Sequence, residues 1–150
     1  MKKRGKQPKK LKVVLDTNIL VSAWLWEGNE SQIVEMIENG LIIGYTSPQL
    51  IQEFEKVMNY PKFRLSEEEI ASAIGYYQII LRTIESKTVV NIIHDDPADN
   101  RVLECALSAK ANVVITGDKH LLALGKFKNI KILTSTEFLK LIKNQIGLIN

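Results

Sequence analysis

Cysteine is nearly absent from this sequence, and long apolar runs are missing. One cysteine, Cys105, stands among 150 residues, so an intrachain disulfide framework and a cysteine-based zinc site are both excluded. Cys105 lies among helical apolar positions and is predicted to belong to the core. No stretch approaches the roughly 18 consecutive apolar residues that a membrane span needs. These absences favour a reducing, cytoplasmic setting and no membrane segment.

Proline and glycine are also scarce, with four and eight residues, respectively. The chain has no internal repeat and no linker long enough to divide it into domains. Its length suits one domain, and its 45% hydrophobic and 25% charged residues are ordinary for a globular protein. We therefore expect a single domain over residues 11–145.

Acidic residues are missing from the start of the chain. Residues 1–12 hold seven basic residues and no acid, whereas residues 13–150 carry 13 basic against 17 acidic residues, a net charge of −4. Residues 1–10 are expected to form a flexible, solvated basic tail; the alternative is an arm that holds the phosphate backbone of a nucleic acid. A signal peptide is rejected because Asp16 and Asn18 interrupt the following apolar run and no small-residue cleavage site comes after it.

Five apolar segments predict strands, and helical segments separate them. The predicted strands are Val13–Leu15, Leu41–Tyr45, Thr88–Ile93, Asn112–Thr116 and Ile130–Leu133. The predicted helix starts are marked by Asn29 or Ser31, Ser47 before Pro48, Ser66 with Glu69, Asp96, Asp118, and Ser135 or Thr136. Strands that alternate with helices predict an α/β protein whose parallel sheet is covered on both faces.

Acidic residues follow several of the predicted strands. Asp16 ends the first strand, and Asp118 follows the fourth. Asp96 follows the third strand, and Glu53 lies in the second turn of the helix after the second. Ligands of parallel sheets bind beyond the carboxyl ends of the strands. Acids from four distant regions are therefore predicted to meet at one rim of the sheet.

Each acid also has a purely structural interpretation. Asp96 can cap a helix, and Asp99, three residues later, can interact favourably with the helix dipole. Glu53 can be an ordinary residue at the flank of its helix. Asp16 and Asp118 are harder to explain in this way, because a carboxylate that ends an apolar strand loses its hydration unless a cation or several donors contact it.

A divalent cation would relieve the repulsion between clustered carboxylates. Mg²⁺ uses few carboxylates and keeps several waters. Thr17, Asn18 and Thr116 can orient those carboxylates or waters. The chemistry that fits is metal-assisted hydrolysis of a phosphodiester, in which a bound ion lowers the pKa of an attacking water and the metals stabilise the oxygens of the in-line displacement.

Four segments of the sequence resemble the signature segments of PIN-domain nucleases. They are Asp16–Asn18, Ser47 with Glu53 six residues later, Asp96–Ala106 and Val114–Leu122. The order and spacing of all four are specific, whereas Asp-Thr-Asn alone would be weak. The resemblance spans roughly residues 11–140 and is greatest to the prokaryotic PIN group of toxin–antitoxin toxins, related to VapC-type toxins.

The resemblance implies a three-layer α/β/α fold with a parallel five-stranded sheet of order 3-2-1-4-5. It also implies cleavage of single-stranded RNA that depends on Mg²⁺ or Mn²⁺, frequent homodimers and a cognate antitoxin protein as partner. It assigns the catalytic, metal-binding roles to Asp16, Glu53, an acid of the Asp99 segment, and Asp118.

The chain departs from the family pattern at one position. The third acid of many PIN toxins falls on Asn100, which cannot carry the charge. Neighbouring positions of a helix differ in direction by about 100°. The expectation is that Asp99 substitutes for the missing acid with help from Asp96, and that Asn100 orients the ligands; the alternative is a site with weaker metal binding.

Three further residues within these segments are candidates for contact with nucleic acid: Arg101, Lys119 and His120. Trp24 and Trp26 are predicted to pack in the core, with base stacking or a subunit interface as the alternatives.

Two other functions compete with the nuclease. One is a PIN-like module that binds RNA or protein without cleavage. The other is a phosphotransfer or phosphatase domain with Asp16 as nucleophile, which Asn18 disfavours because such enzymes usually carry a second aspartate there.

Overall fold

Strands and helices alternate through residues 9–147, the part of the chain that this computed structural model describes; side chains are described for residues 9–145. The strands are β1 (Lys12–Leu15), β2 (Ile43–Thr46), β3 (Arg82–Thr83), β4 (Val113–Ile115), β5 (Lys126–Phe127) and β6 (Ile130–Leu133). The α-helices are α1 (Thr17–Leu25), α2 (Asn29–Glu38), α3 (Pro48–Met58), α4 (Glu67–Ile80), α5 (Ala98–Ala109), α6 (Lys119–Leu124) and α7 (Ser135–Gly147). The predicted tail lies outside the described residues up to residue 8, and Lys9 and Lys10 are exposed.

The strands form one sheet of order β3-β2-β1-β4-β6-β5. Neighbouring strands are parallel except β5, which pairs antiparallel with β6. The predicted α/β class and the predicted order of the parallel strands are confirmed, with β6 in the fifth place. The sixth, antiparallel strand was not predicted. It adds an edge beyond β6 and does not alter the order of the central strands.

In the central strands, Val13–Leu15 of β1 and all of β4 are buried on both faces of the sheet, as their continuous apolar residues predict. Val13 and Leu15 face a core built with α1, α2, α3 and α4. Val14 and Val114 face the opposite core, built largely with α5. The three-layer α/β/α arrangement follows, because each face of the sheet is covered by helices.

The third strand is not where the sequence predicted it. The strand β3 is Arg82–Thr83, and the predicted strand Thr88–Ile93 has no regular structure. The apolar run there is split: Val90 and Ile93 are buried, whereas Val89 is 84% exposed. The backbone N–H groups of Val90 and Ile93 donate to the side chains of Glu104 and Asn100 in α5, and not to a neighbouring strand. The prediction was wrong because an apolar run does not reveal which partner its backbone finds.

Helix α1 and strand β5 were not predicted from the sequence. The α1 segment is almost uniformly apolar, so it lacks the 3.6-residue alternation that identifies a surface helix. Strand β5 has only two residues, too few to give a strand pattern, and the turn to β6 begins at Lys128, which has positive φ. None of the helices in the described range is long and apolar enough to cross a membrane.

Candidate metal centre

A narrow cleft of about 50 Å³ opens at the carboxyl edge of β1 and β4. All five acids that the sequence singled out as metal ligands line it. The lining residues are Asp16, Thr17, Asn18, Glu53, Val57, Asp96, Ala98, Asp99 and Asp118. We call this feature the acid cleft. Its walls come from the β1–α1 junction, from α3, from the start of α5 and from the β4–α6 junction.

Asp16 is the most firmly held acid of the cleft. It follows β1 directly and caps α1, with its Oδ1 accepting a 2.7 Å hydrogen bond from the Thr17 N–H. Its Oδ2 accepts a 2.7 Å bond from the hydroxyl of Thr116, which follows β4. Its backbone N–H continues the sheet by donating to the carbonyl of Ile115. The parallel pairing of β1 with β4 therefore places the carboxylate, and the Thr17 N–H and the Thr116 hydroxyl fix its orientation.

Asp118 is held by the same kind of junction on the neighbouring strand. Its backbone N–H donates a 2.9 Å hydrogen bond to Thr116 Oγ1. Its Oδ1 caps α6 by accepting from the N–H groups of His120 and Leu121, at 2.8 and 3.1 Å. A capping aspartate is fixed in one orientation, because its oxygen replaces the missing carbonyl of the preceding turn.

Asp99 lies in the first turn of α5 and is 5% exposed. Within the described part of the chain, its Oδ2 is buried and has no hydrogen-bond partner. Asp96, just before the helix, is exposed, and its Oδ1 accepts a 3.2 Å bond from the Ala98 N–H. Asp96 thus accepts a backbone hydrogen bond beside the helix start, although Pro97 is the N-cap residue, and it also lines the cleft.

Glu53 reaches the cleft from α3. This helix starts at the predicted place, because Ser47 accepts a hydrogen bond from the Leu50 N–H and Pro48 occupies the first helical position. The inward face of α3 packs in the core through Phe54. Glu53, one residue earlier, is half-buried at the boundary of that face and lines the cleft.

Burial and mutual repulsion favour the neutral forms of two of the acids. Burial raises the pKa of Asp16, although its hydrogen bonds with Thr116 and Thr17 oppose the shift. Burial also raises the pKa of Asp99, to about 8, and the neighbouring carboxyl of Asp118 adds to the shift. Asp99 is thus a buried carboxyl without a donor against its Oδ2, and a cation in the cleft would relieve both causes.

Asn100 does not line the acid cleft. It is 1% exposed, and its Oδ1 accepts from the N–H groups of Ile92 and Ile93 at 3.1 and 2.9 Å. Its Nδ2 donates a 2.7 Å bond to the Ile93 carbonyl. The predicted role of orienting metal ligands therefore has no geometric support at Asn100. Its amide instead holds the irregular segment 84–97 against α5, and the acid that reaches the cleft is its neighbour Asp99.

Arg101 is also engaged with this irregular segment. Its Nη2 lies 3.1 Å from Glu104 Oε2 and donates to the Val90 carbonyl at 3.3 Å. Glu104 is buried and accepts a 2.9 Å bond from the Val90 N–H. Arg101 therefore has structural partners, Glu104 and the Val90 carbonyl, which were not predicted from the sequence. Glu104 was missed altogether, because its spacing from the segment it binds has no local signature.

The remaining candidates lie at the rim of the cleft or away from it. Lys119 is exposed, and His120 is partly exposed beside Asp118. Trp24 is half-buried against Tyr76, with ring centroids 5.9 Å apart. Trp26 is 60% exposed, so the prediction of core packing is wrong for it.

The donor set of the acid cleft fits a hard divalent cation. It offers carboxylate oxygens from four chain segments, and oxygen is the ligand that Mg²⁺ and Mn²⁺ take in proteins. The buried, unpartnered Oδ2 of Asp99 is an acceptor still available to a cation among the residues whose side chains are described. The residues present therefore fit the metal that the family resemblance implies.

Comparison with known proteins agrees with this arrangement. The sequence matches the family described as PIN domain over residues 12–120. It is 32% identical over 143 residues to the uncharacterized protein MJ1680 of Methanocaldococcus jannaschii, and the alignment covers 87% of this chain and 91% of that protein.

Two solved structures share the fold. One is VapBC2 from Rickettsia felis bound to a DNA fragment from their promoter, with a TM-score of 0.58, 15% identity, and coverage of 81% of this chain and 97% of that chain. The other is the T. brucei RRP44 PIN domain, with a TM-score of 0.52, 11% identity, and coverage of 93% and 86%. At these identities the two structures show a common fold alone. The family match spans most of the chain and the relative aligns over nearly its whole length, so the chain belongs to the PIN-domain family of nucleases.

Proposed function

We propose that the chain is an endoribonuclease that cleaves phosphodiester bonds of single-stranded RNA at the acid cleft with Mg²⁺ or Mn²⁺. The observation that carries this proposal is the convergence of five acids, from four separate segments, on one cleft. A cluster of this kind is costly without a cation, and burial has raised the pKa of both Asp16 and Asp99.

Asp16, Glu53, Asp99 and Asp118 would hold the metal, with Asp96 at the rim. When bound, a divalent ion supplies an activated water and stabilises charge on the phosphodiester oxygens. The protein supplies the geometry. Thr116 and the Thr17 N–H keep the Asp16 oxygens in place, and the first turn of α6 does the same for Asp118.

The recessed position of the acids favours a single-stranded substrate. Asp16 and Asp99 are 6% and 5% exposed, at the base of a cleft of about 50 Å³. A flexible single strand can direct one phosphodiester into such a cleft, whereas the backbone of a duplex is held on a rigid cylinder. Lys119 is exposed next to Asp118 in the chain and offers a positive charge for the flanking phosphates.

The partners belong to the same proposal. The related fold in the Rickettsia felis structure is that of VapBC2, and we propose by analogy that this chain is the toxin of a toxin–antitoxin pair acting in the cytoplasm. A cognate antitoxin would block RNA by covering the acid cleft.

The domain would span residues 11–145 and form homodimers. Light scattering of the purified protein at several concentrations tests the dimer, and a monomeric mass throughout would contradict it.

A cleavage assay with matched variants tests the proposed activity. Purified protein is incubated with single-stranded RNA in Mg²⁺, in Mn²⁺ and in chelator. Asp16→Asn and Glu53→Gln each remove one cleft acid, and Glu55→Gln is the control because Glu55 is an exposed acid of the same helix α3. We expect cleavage that needs the metal, a loss of at least about 100-fold in the two cleft variants, and normal cleavage by the control.

Three other outcomes have distinct meanings. Cleavage that survives both chelator and Asp16→Asn would reject the metal nuclease. RNA binding without cleavage in any metal would identify a binding module. Release of phosphate from a small phosphomonoester, abolished by Asp16→Asn while RNA stays intact, would identify a phosphotransfer or phosphatase domain.

A further inference from the structure

We propose that His120 is a nitrogen ligand of a transition-metal cation at the edge of the acid cleft, with Asp99 and Asp118 as carboxylate ligands and Asp95 orienting the imidazole. The proposed nuclease activity supplies the metal centre on which this inference rests. His120 would add a nitrogen ligand to the carboxylate oxygens of the cleft. That nitrogen would make the site bind some divalent metals more tightly than others.

The three side chains are already assembled. Among residues 9–145, the set of three acids, histidines or cysteines whose ligand atoms all lie within 4.8 Å of one another is Asp99, Asp118 and His120. Asp16 and Glu53 line the cleft but do not belong to this set. The ligand atoms already grouped closely enough for one cation are therefore those of Asp99, Asp118 and His120.

The two ring nitrogens of His120 are in different surroundings. Nδ1 is buried and, within the described residues, has no hydrogen-bond partner. Its distance of 3.7 Å from Asp118 Oδ1 is too long for a hydrogen bond. Nε2 is 3.4 Å from Asp95 Oδ2. Nε2 thus lies near the exposed carboxylate of Asp95, which could orient the ring, and Nδ1 faces Asp118 Oδ1 without bonding to it.

This is the arrangement of a metal-binding histidine. Such residues present one nitrogen to the metal and donate the N–H of the other to a carboxylate, which fixes the tautomer. The buried Oδ2 of Asp99, which has no donor against it in the described structure, is a second ligand atom that a cation would satisfy. The backbone supports the geometry, because the His120 N–H is tied to Asp118 Oδ1 at 2.8 Å.

The nitrogen ligand determines which metal is favoured. Mg²⁺ prefers oxygen ligands and keeps its waters, whereas an imidazole suits the later first-row cations. With His120 in place, the site should favour Mn²⁺ and, still more, Co²⁺ over Mg²⁺. Without His120, the acids alone should hold Mg²⁺ about as well as before.

Titration calorimetry on the full chain tests the preference. Mn²⁺, Co²⁺ and Mg²⁺ are titrated into the wild type, His120→Ala, His120→Gln and Asp95→Asn. The control is His94→Ala, which removes the other histidine of the chain, an exposed one. We expect both His120 variants to bind Mn²⁺ and Co²⁺ at least about tenfold more weakly, Asp95→Asn to lose about tenfold, and Mg²⁺ affinity to change less than about twofold in all variants. His94→Ala should match the wild type.

Electron spin-echo spectroscopy of bound Mn²⁺ supplies a readout that does not depend on activity. A directly bound imidazole should give nitrogen modulation in the wild type and in His94→Ala, and the signal should vanish in both His120 variants. Circular dichroism shows whether each variant is folded.

The two proposals fail in different ways. Equal Mn²⁺ affinity in wild type and folded His120 variants, or bound Mn²⁺ without nitrogen modulation, would overturn the role of His120 and leave the nuclease in place. Loss of nitrogen modulation in His120→Ala beside a wild type that cleaves no RNA would overturn the nuclease and retain the metal ligand. A wild type that binds none of the three cations would overturn both.

Discussion

The Thr116 hydroxyl donates a 2.7 Å hydrogen bond to Asp16 Oδ2, across the pair of central parallel strands. The hydroxyl oxygen of Thr116 also accepts a 2.9 Å hydrogen bond from the Asp118 N–H. One buried hydroxyl therefore links the acid at the end of β1 with the acid that follows β4. The distance between these two acids is set by this link and by the register of β1 with β4.

Thr116→Val removes this hydroxyl and keeps the shape of the side chain. Asp16 Oδ2 loses a donor in a buried place, and the Asp118 N–H loses its acceptor. We expect RNA cleavage to fall about 10–100-fold, the usual effect of losing a residue that orients a metal ligand. Thr116→Ser keeps the hydroxyl and should retain most activity. Equal activity in the valine variant would show that the link does not position the acids.

The stability of the metal-free protein should depend on pH through Asp99. Burial and Asp118 raise its pKa to about 8, so the folded state takes up this proton more readily than the unfolded chain does. A raised carboxyl pKa makes stability fall as pH rises from the ordinary aspartate range of about 4 to about 8. We expect thermal unfolding in chelator to show this decline in the wild type.

Asp99→Asn removes the charge that causes the decline. In chelator at pH 8, the variant should be more stable than the wild type by several kcal/mol, since the pKa of Asp99 is raised by about four units and each unit corresponds to about 1.4 kcal/mol. At pH 4 the difference should nearly vanish, because wild-type Asp99 is protonated there in the folded state. Mn²⁺ should stabilise the wild type more than the variant. A variant less stable than the wild type at pH 8 would contradict the shift.

The acids of the cleft could be predicted from sequence because their positions follow from local rules. Asp16 and Asp118 stand where apolar strands end, and parallel strands bring such ends to one edge of the sheet. Each then caps the next helix, a role with a short-range signature. Following a strand and capping the next helix thus together restrict the position of each of these two side chains.

The irregular segment 84–97 could not be predicted in this way. Its apolar residues are those of a strand, but its backbone bonds to Asn100 and Glu104, which no neighbouring residue in the sequence specifies. The same contacts explain the departure at Asn100. Neighbouring helix positions point in different directions, and here Asp99 turns to the cleft while Asn100 turns to the segment.

Asn100→Asp would restore the acid that many PIN toxins carry at this position, and we expect it to harm the protein without improving the site. The new oxygen would face the Ile93 carbonyl in place of the Nδ2 donor, now 2.7 Å away. Leaving buried polar groups unmatched costs about 1–3 kcal/mol. Chemical denaturation should show that loss, and Mn²⁺ affinity should stay within about twofold of the wild type. Tighter Mn²⁺ binding would mean that this position does belong to the metal site.

Removal of the basic tail tests whether it contributes to RNA binding. Residues 1–10 hold six basic residues and no acid, whereas the acid cleft repels phosphate unless a metal is bound. Each phosphate contact on a single strand adds about 0.7 to the slope of log affinity against log salt. If the tail makes two or more contacts, deleting residues 1–10 should weaken RNA binding at low salt and reduce that slope by about 1.4 or more. A second variant replaces the lysines and the arginine of residues 1–10 with glutamine and keeps the length of the chain. It should lose the same RNA affinity as the deletion, because the effect comes from charge. An unchanged slope in both variants would leave the tail without a role in RNA binding.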